Sequence, residues 1–188
     1  PCNEIGALKT FDIVHKNDDI HKAYINAGAD IINANTFGAN RFKFDNLEEI
    51  ITVGIANAKK AVAETGKKAY VALDIGPIGE MLEPYGTLSF ESAYDIYKEM
   101  IIAGRDAGAD LVVFETMTDL YEVRAGVLAA KENCELPVFV TMSFEKSGRT
   151  FTGTCVESMA CVLEGLGADA IGINCSLGPD EIYLIRSE

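Results

Sequence analysis

The sequence predicts an α/β fold built on a parallel sheet, and three observations lead to it. The tripeptide Gly-Ala-Asp occurs at 28–30, 108–110 and 167–169, each time followed by an apolar run that ends in a polar residue. Apolar runs at 31–36, 69–75, 111–115, 138–143 and 170–175 are rich in Val, Ile and Phe, as strands covered on both faces should be. The stretches between them space their apolar residues as helices do, and strand-helix alternation marks a parallel sheet with crossover helices.

The opening segment, Pro1 to Asp19, is polar and precedes the first strand at 31–36. Asn46 with Glu49 three residues on reads as a capping box, opening a helix through Ile50, Ile51, Ala58 and Val62 that closes near Gly66. After the strand at 69–75, Ser89 starts a helix through Tyr94, Tyr97, Ile101 and Ile102 to Gly104 or Gly108. The strand at 111–115 leads to a helix from Asp119 through Val123, Val127 and Leu128, and the strand at 138–143 to one from Val156 to Gly165. The last strand, 170–175, is followed by Gly178-Pro179, and Pro suits a first helical turn.

Five strands and their helices use nearly all of the 188 residues, whereas a closed eight-stranded barrel takes about 250. The chain also begins without Met and stops at Glu188, just after that helix start. An open doubly wound sheet and a piece of a larger barrel both fit this spacing. No linker or low-complexity tract interrupts the chain, so residues 1–188 are expected to form one unit without an internal boundary.

Composition narrows the class of function. Hydrophobic residues make up 48% of the chain and charged residues 24%, the balance of a water-soluble domain with a sizeable core. A net charge of −13, spread over the helix faces, disfavours nucleic acid or an anionic membrane as partner, and no stretch is apolar enough to span a bilayer. The cysteines at 2, 134, 155, 161 and 175 are odd in number and irregularly spaced, which fits a reducing, cytoplasmic setting better than a disulfide framework.

The polar residues that close the three Gly-Ala-Asp runs fall five or six positions past the Asp, at Asn35-Thr36, Glu115 and Asn174-Cys175. With a rise of about 3.3 Å per residue they reach the same end of a parallel sheet, where such folds carry their sites. A carboxylate at the end of Leu-Val-Val-Phe needs a partner or a purpose, so Glu115 is either a salt-bridge or capping group or a clamp for a substrate ammonium. Asn35 and Thr36 either hydrogen-bond a ligand carboxylate or hold the turn toward Gly38. Cys175 ends a strand before Ser-Leu-Gly-Pro, where a thiolate would face a cleft, while Cys134, Cys155 and Cys161 lie on or beside helices and read as structural. Gly76-Pro77-Ile78-Gly79 matches no phosphate-loop pattern and reads as a tight turn, and His15 and His21 in the polar opening make a weak case for catalysis.

Five segments together carry a resemblance: Ala27 to Asn40 (Ala-Gly-Ala-Asp-Ile-Ile-Asn-Ala-Asn-Thr-Phe-Gly-Ala-Asn), Asp74 to Gly79 (Asp-Ile-Gly-Pro-Ile-Gly), Phe114 to Asp119 (Phe-Glu-Thr-Met-Thr-Asp), Thr152-Gly-Thr154, and Gly172 to Pro179 (Gly-Ile-Asn-Cys-Ser-Leu-Gly-Pro). In order, and over nearly the whole chain, they resemble the homocysteine S-methyltransferase family, most closely its bacterial cobalamin-dependent branch. The resemblance implies a (βα)8 TIM barrel of which the five strands here are strands 2 to 6, so that residues 1–188 are a partial homocysteine-binding domain. It implies a zinc ion held by three cysteine thiolates, one of them Cys175. The other two belong to a Cys-Cys pair on a later strand, and this sequence has no adjacent cysteines. The family's opening Asp-Gly-Ala motif is absent as well.

By the same resemblance, Glu115 binds the homocysteine amino group, Thr36 and Phe37 with their backbone position its carboxylate, and Asn174 belongs to the substrate-binding set. The methyl group would come from methylcobalamin on another domain of the parent protein, recharged from methyltetrahydrofolate on a further one, to give methionine. Zinc matters because a free thiol with a pKa near 8.5 is mostly protonated at neutral pH, and coordination deprotonates it. With one ligand present, the chain alone is expected neither to hold zinc tightly nor to turn over, and its unclosed sheet edges favour association. The rival readings are S-methylmethionine or betaine as methyl donor, a non-catalytic (βα) piece, and an unrelated phosphate-binding enzyme with an anion near Gly76 or Gly178.

Overall fold

The computed structural model describes residues 18–186, so Cys2 and His15 lie outside the described residues. The elements run α1 (Asp18–Ala27), β1 (Ile31–Asn33), α2 (Leu47–Thr65), β2 (Tyr70–Ile75), α3 (Phe90–Asp106), β3 (Leu111–Met117), α4 (Leu120–Asn133), β4 (Val138–Met142), α5 (Val156–Gly165), β5 (Ala170–Ile173) and α6 (Pro179–Arg186). All five strands are parallel in one sheet, in the order β1-β2-β3-β4-β5. A doubly wound sheet reverses its strand order at a switch point, whereas barrel strands follow one another in sequence order. Sequential order therefore decides for a barrel-type sheet.

The Gly-Ala-Asp repeat explains how each strand is placed. Its Gly takes a left-handed backbone, with φ of 106° at Gly28, 87° at Gly108 and 82° at Gly167, and closes the helix before it. In all three copies the Gly N–H donates to the carbonyl three residues back and the Ala N–H to the one five back, which is the Schellman pattern that ends a helix. The Asp then starts the next strand. Asp110 N–H donates to Val71 O, and its carboxylate accepts from Val71 N–H at 2.7 Å and from Lys59 of α2 at 2.7 Å. Asp169 repeats this on β4, with its N–H on Val138 O and its carboxylate accepting from Val138 N–H at 2.8 Å and Lys131 of α4 at 2.7 Å. In the first copy the backbone alone makes the link, through Tyr70 N–H and Asp30 O.

The core lies between the sheet and its helices. Leu73, Ile75, Phe114 and Val140 on the strands pack with Ile51, Ile55, Tyr97, Ile101 and Val127 on the helices, all of them 0% exposed. On the opposite face Ile31 of edge strand β1 and its partner Tyr70 of β2 remain exposed, and at the other edge Ile171 of β5 is exposed on the helix side. No described helix is long and apolar enough to cross a membrane.

Several expectations need correction. Asn46 precedes α2, but its side chain caps no backbone N–H; its amide donates to the Glu49 carboxylate at 3.1 Å, so there is no capping box. Ser89 and Asp119 do cap, accepting from Ser92 N–H and Tyr121 N–H. The segment ending at Asp19 runs into helix α1, where His21 is buried rather than part of a solvated polar opening. β1 stops at Asn33, short of Thr36, because Thr36 N–H turns back to Ala34 O. β5 stops at Ile173 because Cys175 has a φ of 64° and leaves the ladder.

Removing one anchor tests this account of strand placement. Asp110→Ala should lower stability to urea by about 1–3 kcal/mol, the cost of orphaning the Val71 N–H. Lys59→Ala removes an exposed ion pair alone and should cost less than about 1 kcal/mol. Equal losses would show that the ion pair, not the backbone anchor, carries the effect.

Candidate functional site

The open face of the sheet turns polar toward the C-terminal ends of the strands. Along β2, Leu73 and Ile75 point to the helices, so Asp74 between them points the other way. Along β3, Phe114 meets the Tyr97 ring edge-on at 5.5 Å between centroids on the helix side, which sends Glu115 to the open face. Asp74 is paired with Val113, so Glu115 sits on the neighbouring strand two residues further along the same face. Two carboxyl groups thus stand side by side.

The environment of each is unfavourable for charge. Burial, then the negative charge of Glu115, push the Asp74 carboxyl up to about 8, opposed by a hydrogen bond from Asn33. Burial raises the Glu115 carboxyl as well. Asp74 is 6% exposed, and its Oδ1 has no hydrogen-bond partner among the described residues.

Glu115 and Cys175 lie at the same end of the sheet, and the residues beside them are bonded together. The Asn174 carbonyl oxygen Oδ1 accepts from Thr116 N–H at 3.1 Å, while its amide Nδ2 donates to Thr116 Oγ1 at 3.0 Å and reaches Cys175 Sγ at 3.5 Å. Thr116 has a φ of 61° and Cys175 one of 64°. A left-handed β-branched residue costs about 1–3 kcal/mol and persists where its surroundings hold it. Asn174 holds it here, with the Thr141 hydroxyl also accepting from Thr116 N–H at 3.4 Å. Ser143 Oγ–H on Asn174 O and Phe144 N–H on Ser176 Oγ fasten the same turn to the end of β4.

Thr36 is buried, and its hydroxyl donates to Asp74 O at 2.8 Å and accepts from Asp74 N–H at 3.1 Å. It binds β1 to β2 and has no donor to spare for a ligand. Phe37 is exposed, with its carbonyl accepting from Gly76 N–H at 2.9 Å. Its ring covers Gly76 so closely that a Cβ there would lie 2.5 Å from a ring carbon. In the Gly76–Gly79 loop, Ile78 N–H donates at 2.7 Å to Glu122, a buried carboxylate that also accepts from Tyr97 O–H at 2.7 Å. A loop whose amide already faces a carboxylate is a turn, not an anion cradle.

A family model described as homocysteine S-methyltransferase matches residues 7–186. The chain belongs to the homocysteine S-methyltransferase family. Within it, the chain is 32% identical over 195 residues to the methionine synthase of Mycobacterium tuberculosis (strain ATCC 25618 / H37Rv), and to the same degree to that of Mycobacterium leprae (strain TN). Each match covers 96% of this chain and 16% of the relative, so the chain spans about a sixth of their length. Among solved structures, the Escherichia coli homocysteine methyltransferase MmuM in its metallated form aligns with a TM-score of 0.82 at 21% identity, over 95% of this chain and 70% of that one. Its apo form aligns with a TM-score of 0.75 at 23% identity, over 89% and 64%. These likenesses speak for the fold, a TIM barrel of which five parallel strands are described here.

For a member of this family the cysteines are the first metal ligands to consider. Cys175 is exposed at a strand end, with its thiol touched by the Asn174 amide. Cys155 starts α5 beside Ser158, Cys161 lies exposed on α5, and Cys134 closes α4 with its thiol on Ala130 O. Among the described residues no three His, Cys, Asp or Glu side chains form a metal cage. Zinc with its usual three protein ligands needs more than these residues bring together.

The sequence alone assigns no role to Asp74 or Glu122. The signal for Asp74 was present, a carboxylate inside the buried run Val-Ala-Leu-Asp-Ile, on the same grounds that singled out Glu115. Its titration is testable. Between its ordinary value of 3.8 and about 8, the unfolded chain has released this proton and the folded protein has kept it. Stability contributed by the neutral acid is therefore full below about pH 4 and lost as pH rises through about 8, at 1.36 kcal/mol per unit. Asp74→Asn should flatten that fall in urea unfolding between pH 5 and pH 8; an unchanged slope would mean that Asp74 folds ionised.

Proposed function

We propose that this domain binds homocysteine and presents its sulfur for methylation to methionine, as the homocysteine-binding part of a zinc- and cobalamin-dependent methyltransferase. The observation that carries the reading is the cluster at the strand ends. Glu115, a half-buried carboxylate, stands one residue from the strained Thr116, which Asn174 bonds on one side while reaching Cys175 on the other. An amino-acid thiol needs an acceptor for its ammonium and a place for its sulfur, and this cluster offers both.

Glu115 accepts N–H bonds from the ammonium, in surroundings where a charged hydrogen bond is worth more than in water. The backbone N–H of Phe37 receives the carboxylate, while Thr36, its hydroxyl and N–H already committed, fixes that segment to β2. Asn174 sets the direction of Cys175 and lies in the substrate's path. Cys175 supplies one of zinc's thiolates, the remaining ones coming from cysteines beyond this sequence. Zinc, when bound, keeps the substrate sulfur as a thiolate at neutral pH, where a free thiol is mostly protonated. The motifs Asp74 to Gly79 and Gly172 to Pro179 support the cobalamin-dependent branch, and with it a methylcobalamin domain and a methyltetrahydrofolate domain as partners in the cytoplasm.

Glu115→Gln in the protein as its gene encodes it should weaken homocysteine binding by about 1.5–3 kcal/mol, the worth of a hydrogen bond to a charged group. Zinc content should stay the same. Unaltered affinity in calorimetry would make the carboxylate structural. The 188-residue chain alone should hold zinc well below one equivalent by elemental analysis. A full equivalent with a thiolate-coordination spectrum would mean that Cys175 finds its partners within this chain.

A further inference from the structure

Asp74 remains unexplained by its part in the fold. Its backbone, not its side chain, makes the link to β1 through Thr36. The side chain is 6% exposed and lines a groove of about 440 Å3 together with Asn33 and Asn35 of the β1 end and His21 and Tyr24 of α1. Its Oδ1 has no hydrogen-bond partner among the described residues. A buried oxygen of this kind is costly unless something else comes to it. The groove opens on the β1 side of Asp74, and on its β3 side stands Glu115, close enough for its charge to act on Asp74.

We infer that Asp74 is a second acceptor for the substrate's ammonium, so that the amino group is held between acidic side chains of β2 and β3. The inference rests on the reading that the domain binds homocysteine and adds a residue and a proton to it. An ammonium brings three N–H donors, enough for both carboxyl groups at once. Two neighbouring carboxylates repel each other in the empty site, so one keeps a proton there. When the ammonium enters, its charge replaces that proton. The neutral Asp74 acid releases H⁺ to solvent and becomes the carboxylate that accepts from the ammonium, while no covalent bond in the substrate changes. The titratable groups around Asp74 among the described residues are Glu115 on the β3 side and, across the groove, His21 and Tyr24 on α1; on the β1 side Asn33 is neutral.

The ligand class follows from this arrangement: a thiol that carries a free α-ammonium, as against the same thiol without one. The test is calorimetry on the protein as its gene encodes it, with homocysteine and with 4-mercaptobutyrate, which keeps the thiol and the carboxylate and lacks the amino group. Wild type should bind homocysteine at pH 7 with proton release, read from the dependence of the heat on buffer ionisation. Asp74→Asn, of nearly the same shape, should weaken homocysteine by roughly 10- to 100-fold, as loss of a charged hydrogen bond does. It should also lower the proton release to the level seen with 4-mercaptobutyrate, whose thiol still gives up its proton to zinc, and leave the weak binding of 4-mercaptobutyrate almost unmoved. If Asp74→Asn does not fold by circular dichroism, Asp74→Ser takes its place with the same expectations.

Wild-type affinity for homocysteine in the variant, or equal weakening of both ligands, would overturn the role of Asp74 while leaving the homocysteine reading intact. No binding of homocysteine to wild type would overturn both.

Discussion

The geometry of this protein depends on one turn used three times. At each Gly-Ala-Asp the glycine ends a helix in a left-handed conformation that an L side chain enters at a cost of about 1–2 kcal/mol. Two residues later the Asp backbone joins the neighbouring strand. In the second and third copies the Asp side chain accepts an N–H from the opening of that neighbour as well, Val71 in β2 and Val138 in β4, so strand start and sheet register are set together. A slip of one residue would turn every side chain to the opposite face. Asp74 and Glu115 would then enter the core, and Leu73 and Phe114 would leave it.

A register set at one end of a strand determines what is presented at the other. Five or six residues past the Asp the runs reach Asn35-Thr36, Glu115 and Asn174-Cys175, and the hydrogen bonds of Asn174 to Thr116 tie two of these ends into one unit. Stability is spent at that end. Two residues there hold left-handed backbones without being glycine, and two carboxyl groups are held where burial raises both. The hydrophobic seam of Leu73, Ile75, Phe114 and Val140 against the helices offsets these costs.

Much of this was legible in the sequence. All five strands could be read because parallel strands buried on one face and shielded on the other appear as apolar runs, and the glycines and aspartates mark where they start. Helix α1 was not legible, because it buries little beyond Ile25 and His21 and looks like a solvated segment. Glu115 and Cys175 stood out because a charged or reactive group ending an apolar run is anomalous. Asp74 is equally anomalous, but it sits two residues before the Gly76-Pro77 turn, where a polar residue at a strand end is ordinary. The part played by Asn174 depends on the backbone twist at Thr116, 58 residues away in sequence, which no local pattern encodes. The sequence leaves the Thr36 hydroxyl between a ligand carboxylate and a structural bond near the turn; in the fold it is committed to the backbone of Asp74, because a buried hydroxyl is satisfied by whatever acceptor the fold brings closest.

The most direct measurement is a crystal structure of the protein, as its gene encodes it, with homocysteine bound. The ammonium nitrogen should lie within about 3 Å of a Glu115 carboxylate oxygen, the length of a charge-assisted hydrogen bond, with the sulfur on the side of Cys175. An amino acid seated away from the ends of β3 and β5, or one whose ammonium points away from Glu115, would contradict the account.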